Sequence, residues 1–72
     1  MIEKWEIQNS SQLTRATYND EIQVLTVTFK KGTVYKYFDV PYNVFKELLS
    51  ADSAGRYFNM YCAKKFKFEK VG

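Results

Sequence analysis

Between positions 53 and 59 the chain reads Ser-Ala-Gly-Arg-Tyr-Phe-Asn, and this run holds the residue types best suited to gripping an anion. A serine in front of a helix can accept one of its first amide hydrogens. The remaining amides point outward at the positive end of the helix dipole. Gly55 in the first turn would leave them uncovered, and Arg56 adds a planar, permanently charged fork that suits phosphate. Tyr57 and Asn59 then offer a ring to stack on a base and an amide to hydrogen-bond it. The same residues also make an ordinary helix start, with Ser53 capping, Gly55 packed on a sheet, and Arg56 paired with Asp52 or Glu47. Spacing alone leaves both readings open.

Two further patterns could serve the same chemistry. The C-terminal run Lys64-Lys65-Phe66-Lys67-Phe68-Glu69 interleaves rings with cations. As a strand it would hold Phe66 and Phe68 on one packed face and a phosphate-facing row on the other. Tyr35 and Tyr37 share one face of a strand and could stack on bases. However, Val34 and Phe38 occupy the opposite face. Such a strand is expected to be central and covered on both sides, which favours a core or subunit contact for the two tyrosines.

Catalysis is not expected. The sequence has no His and a single Cys, Cys62, so imidazole triads, imidazole metal sites, zinc thiolate clusters and internal disulfides are excluded. Asp20, Asp39, Asp52, Glu47 and Glu69 stand apart beside turns and caps, and Ser11 and Ser53 have no base at a readable spacing. No metal and no cofactor are expected.

The elements that must carry these residues are legible in outline. Gln12–Tyr18 reads as a short strand ended by the turn formers Asn19-Asp20. Ile22–Lys30 alternates cleanly, with Leu25, Val27 and Phe29 on one face. Lys31-Gly32 supplies the turn into a third strand, Thr33–Phe38. Asp39-Val40-Pro41 then stops the sheet, with Asp39 the expected cap of a helix of roughly ten residues bearing the stripe Val44, Phe45, Leu48, Leu49. Asp52 or Ser53 starts a second short helix with Tyr57, Phe58, Tyr61 and Cys62 as its apolar positions. The C-terminal alternation could pair with Trp5-Glu6-Ile7. The expected fold is α+β: a three-stranded antiparallel meander followed by two short helices, with an added terminal strand as an option.

Size and charge frame this. Seventy-two residues form one domain, 1–72, expected to expose roughly 4,700 Å² when folded. Thirteen aromatic residues are more than so small a core needs, so some rings are expected to face a ligand or a second copy. Through Gly55 the net charge is −1; from Arg56 onward it is +4, so the whole positive excess sits in the last quarter. No apolar run approaches a membrane span and the N-terminus has no secretory pattern, so a cytoplasmic protein is expected.

The residues Ser11, Tyr18, Leu25-x-Val27-x-Phe29, Gly32, Tyr35-x-Tyr37, Val40-Pro41, Phe45, Leu48-Leu49 and Ala51-x-Ser53-x-Gly55-Arg56-Tyr57-Phe58-Asn59 together resemble the KTSC domain. That family is named for a segment at the C-terminus of some lysyl-tRNA synthetases, and it also occurs as small free-standing bacterial and phage proteins. The resemblance spans about Ser10 to Asn59. It implies a domain associated with nucleic-acid binding and brings no catalytic activity with it. The expected function is a non-enzymatic binding module for RNA or another phosphate-bearing nucleotide. Its candidate site is Tyr37, Ser53, Gly55, Arg56, Tyr57, Asn59, Lys64 and Lys65. One alternative is a homo-oligomeric phage sponge for a host cyclic nucleotide in the cytoplasm of an infected cell. The other is a protein-interaction module.

Overall fold

The computed structural model describes residues 1–8, 10 and 12–72. Five strands form one antiparallel sheet in chain order: β1 (Ile2–Glu6), β2 (Leu13–Asn19), β3 (Val24–Phe29), β4 (Val34–Tyr37) and β5 (Phe68–Lys70). Helices α1 (Tyr42–Ser50) and α2 (Ala54–Tyr61) lie between β4 and β5 in the chain. The meander is therefore longer than the three central strands and gains one strand at each end. The expected pairing of the two ends is overturned: β1 pairs with β2 and β5 with β4, so the termini occupy opposite edges of the sheet. Alternation marks a strand but carries no information about its partner, which here is set by the order of the meander.

Alternation along β3 decides which face is covered. Leu25 and Val27 are fully buried, and their cross-strand neighbours Tyr18, Ala16 and Tyr37 are buried with them. This face meets Phe45 and Leu48 of α1 and Phe58 of α2, with Leu13, Val40, Ala54 and Cys62 completing the core. Tyr18 stacks on Phe45 at 5.0 Å, and its hydroxyl donates to the Val40 carbonyl at 2.6 Å, fastening the β4–α1 connection to the sheet. The other face carries the row Lys4, Thr17, Thr26, Lys36 and Glu69, all exposed or half-exposed. Beta-4 is thus covered on one side only. Val34 and Phe38 are tolerated on the outer side because both remain partly buried. The molecule exposes 4768 Å², close to the value expected from its mass.

Local signals hold with two changes. Gly32 turns the β3–β4 hairpin at φ +96°, where a side chain would be strained. Asp39 does not cap α1; it takes φ +57°, and Pro41 occupies the cap position without a side-chain bond. Alpha-1 instead draws its stability from the buried stripe of Phe45 and Leu48, which outweighs a missing cap worth about 1 kcal/mol. Ile22, read as strand, lies in the turn between β2 and β3 and is exposed. Ser11, one of the residues carrying the family resemblance, lies outside the described residues.

Candidate nucleic-acid interface

Alpha-2 begins as its sequence demands. Ser53 adopts an extended backbone and its hydroxyl accepts the Arg56 amide at 3.3 Å. Gly55, expected to leave the first amides uncovered, has a close neighbour in the folded chain. It is buried against Ser10, and a Cβ placed there would lie 2.7 Å from the Ser10 hydroxyl oxygen. That oxygen is fixed by accepting the amides of Gln12 and Leu13, both at 3.0 Å. The glycine therefore seats α2 against Ser10. Arg56, Asn59 and Met60 remain on the exposed side of the helix.

Ser53, Gly55, Arg56 and Asn59 line one shallow depression of about 310 Å³ together with Gln12 and Met60. Asn59 donates to the Gln12 side-chain carbonyl at 3.2 Å, closing one wall. Gln12 also lines a second depression of about 380 Å³ with Phe29, Lys30 and Lys31. Phe29 and Lys31 continue into a third, of about 540 Å³, which includes Thr33, Tyr35, Tyr37, Phe58, Asn59, Phe68 and Lys70. Gln12, Phe29, Lys31 and Asn59 each line two of the three hollows, which adjoin one another as a trough of three lobes between the start of α2 and the β4–β5 pair. Its described lining contains Arg56, Lys30, Lys31 and Lys70 and no carboxylate.

Rings build the third lobe. Phe29, Tyr35, Phe68, Tyr37 and Phe58 contact one another in a closed circuit with centroids 5.1–5.8 Å apart. Edge-to-face contacts dominate it, an arrangement favoured by ring quadrupoles. Phe58 and Tyr37 are its buried floor, whereas Phe68 is exposed over 57% of its surface. Tyr37, a candidate for stacking on bases whose strand position favoured a core or subunit contact, is a core residue with 4% exposure, and burial pushes its hydroxyl pKa up.

Three other expected site residues stand outside the trough. Tyr57 donates its hydroxyl to Glu47 at 2.9 Å and lies against Tyr61, with centroids 4.8 Å apart. Burial, and then the bond to Glu47, pushes its pKa up to about 12. Glu47 thus engages Tyr57, although it had been one expected partner of Arg56. Lys64 and Lys65 follow the C-terminal end of α2, the end away from Ser53, and the Lys65 ammonium lies 5.8 Å over the Tyr61 ring. The expected strand from Lys64 is confined to Phe68–Lys70, because a turn follows α2. The row facing the trough is consequently Phe68 and Lys70, not Lys65 and Lys67.

Sequence reasoning missed Gln12, Lys30, Lys31 and Thr33 as site residues. Lys30 read as the end of a strand and Lys31-Gly32 as a turn, and nothing in their spacing showed that Lys31 and Thr33 line the same hollow as the rings. No group of three or more potential metal ligands occurs among the described residues. The thiol of Cys62 is buried, and burial pushes its pKa up to about 11. No helix of the described residues is long and apolar enough to cross a membrane.

A family model for the KTSC domain matches residues 9–66. The chain is 41% identical over 61 residues to a lysine–tRNA ligase of Nostoc punctiforme, covering 85% of this chain and 11% of that protein. It therefore spans only about a tenth of the ligases it matches. It is 48% identical over 50 residues to an uncharacterized protein of Stutzerimonas stutzeri, covering 69% of this chain and 70% of that one. The crystal structure of a KTSC domain protein from Yersinia pestis superposes with a TM-score of 0.89 at 27% identity, covering both chains completely. By its matched sequence and by its fold, the chain belongs to the KTSC domain family.

Proposed function

We propose that this domain is a non-enzymatic binding module for RNA or another phosphate-bearing nucleotide, held along the trough. The observation that carries the reading is the lining itself: four cations, a cluster of rings and, among the described residues, no carboxylate across three adjoining hollows. Cations supply the phosphate attraction and rings supply sequence-tolerant stacking, the two components of single-strand binding. By contrast, the hollow between β1 and α1 mixes Glu6 and Glu47 with Lys46 and would attract no anion selectively. The name of the lysine–tRNA ligases adds support, since a domain of this kind forms part of proteins that act on tRNA. The buried, protonated thiol of Cys62 supports the non-enzymatic part of the reading.

The test is fluorescence anisotropy with short single-stranded RNA and DNA at two salt concentrations. If Arg56, Lys30, Lys31 and Lys70 each neutralise one phosphate, the log–log salt slope should approach about −2.8. Affinity then falls about fifty-fold between roughly 50 and 200 mM salt. Substituting Arg56 by alanine should reduce the slope by about 0.7. No binding at low salt, or binding indifferent to Arg56→Ala, would end the reading. Stabilisation by a cyclic dinucleotide but not by RNA would replace it with sequestration of a small nucleotide, with light scattering reporting whether a homo-oligomer encloses the ligand.

A further inference from the structure

The third lobe of the trough has one feature that packing does not explain. Thr33, the residue after the hairpin glycine, lines this lobe, and its hydroxyl oxygen is buried without a hydrogen-bond partner among the described residues. A buried hydroxyl left unsatisfied costs folding free energy, and valine would fill the same space at a strand start with better β propensity. Beside it stand the half-open rings Phe29 and Tyr35 and the exposed ring of Phe68, with Lys31 and Lys70 in the same lining.

We infer that this lobe is a base-binding subsite in which Thr33 is the specificity-determining residue. An unpaired base lies against Phe29, Tyr35 and Phe68. A polar atom of that base meets the Thr33 hydroxyl, and Lys31 or Lys70 meets the flanking phosphate. The inference rests on the nucleotide reading above and narrows it to ligands carrying an unpaired base, a single strand in place of a duplex. Stacking on a protein ring requires a free base face, which a duplex keeps covered. The protein side of the hydrogen bond is already desolvated in the folded chain, so a base atom that reaches it gains a bond without uncovering another.

The experiment compares wild type, Thr33→Val, Thr33→Ser and Lys70→Ala. Anisotropy is read on single-stranded oligouridylate, its duplex with oligoadenylate, and an abasic ribose-phosphate strand of equal length; a thermal melt is recorded for each protein. Wild type should favour the single strand over both others. Thr33→Val should bind oligouridylate roughly five-fold more weakly, the worth of one neutral hydrogen bond, and the abasic strand unchanged. Its melting temperature should equal or exceed that of wild type, because no intramolecular bond is lost. Thr33→Ser should retain binding, and Lys70→Ala should weaken all three strands. The subsite is refuted if Thr33→Val binds oligouridylate as wild type does, loses the abasic strand equally, or melts well below wild type. It is refuted equally if wild type prefers the duplex. Those outcomes leave the broader nucleotide reading standing, whereas a wild-type protein that binds no strand at low salt removes both.

Discussion

Replacing Gly55 by alanine should destabilise the wild-type domain and stabilise a variant lacking the Ser10 hydroxyl. The added Cβ would stand 2.7 Å from the Ser10 oxygen, well inside contact distance, and that oxygen cannot move without releasing the amides of Gln12 and Leu13. Leu13 is fully buried, so its amide would be left without a partner. Losing both bonds costs about 2–4 kcal/mol, against a gain of up to about 1 kcal/mol for alanine over glycine in a helix. The net loss is about 1–3 kcal/mol, or about 5–20 °C in melting temperature for a chain of this length. Ser10→Ala alone forfeits the same two bonds and should cost about 2–4 kcal/mol. In that background the nearest atoms to the new Cβ are Gln12 Oε1 and Ser10 Cβ, both 3.8 Å away and in ordinary contact. The helix gain then survives, and Gly55→Ala should raise stability by about 0.5–1 kcal/mol. The assay is a double-mutant cycle by urea unfolding, followed by far-ultraviolet circular dichroism. A neutral or stabilising Gly55→Ala in the wild-type background, or additive effects across the cycle, refutes the account of Gly55 as the seat for Ser10.

Removing the Tyr18 hydroxyl by Tyr18→Phe leaves the buried Val40 carbonyl without its 2.6 Å donor, which should cost about 1–3 kcal/mol; a thermal melt unchanged from wild type would contradict it. Alkaline pH should unfold the domain selectively. Cys62 and Tyr57 titrate higher folded than unfolded, so the stability they contribute is full below about pH 9 and declines as pH rises toward about 11 and 12. For fully buried Cys62 the loss is about 2–3 kcal/mol, and Cys62→Ala should flatten the fall in urea midpoint between about pH 9 and 11. Lys64→Ala with Lys65→Ala should leave the salt slope of oligonucleotide binding unchanged, whereas Lys31→Ala with Lys70→Ala should reduce it by about 1.4; equal effects would place the ligand elsewhere.

The sequence disclosed the elements more fully than their arrangement. The Leu25, Val27, Phe29 alternation, the Lys31-Gly32 turn and the Phe45–Leu48 stripe are local signals, and each appears where local physics puts it. Partner choice for the terminal strands depends on contacts distant in the chain, and no periodicity encodes that. The candidate site divides in the same way. Ser53, Gly55, Arg56 and Asn59 belong to the cap and body of α2 and line one depression, although their spacing alone left the anion reading and the ordinary helix start both open. Tyr57 faces the other way because one helical step turns its side chain by about 100°, toward Glu47 of α1. Lys31 and Lys70 are far apart in sequence and line one hollow only because β5 returns beside β4.

The surplus of rings now has a physical division. Tyr18, Tyr42 and Phe45 form one group that holds α1 to the sheet. The circuit of Phe29, Tyr35, Phe68, Tyr37 and Phe58 belongs both to the core and to the trough, with its buried members supporting the exposed ones. Binding and stability should therefore be coupled at Phe58 and separable at Phe68. Truncating Phe58 to alanine removes a fully buried ring, costs about 3–5 kcal/mol, and deprives Phe29 of its edge-to-face support. Truncating Phe68, exposed over more than half its surface, costs far less stability yet removes the rim of the lobe. A Phe68→Ala domain that melts near wild type but loses oligonucleotide affinity assigns that ring to the ligand. One that loses both in proportion, as Phe58→Ala should, makes it part of the core.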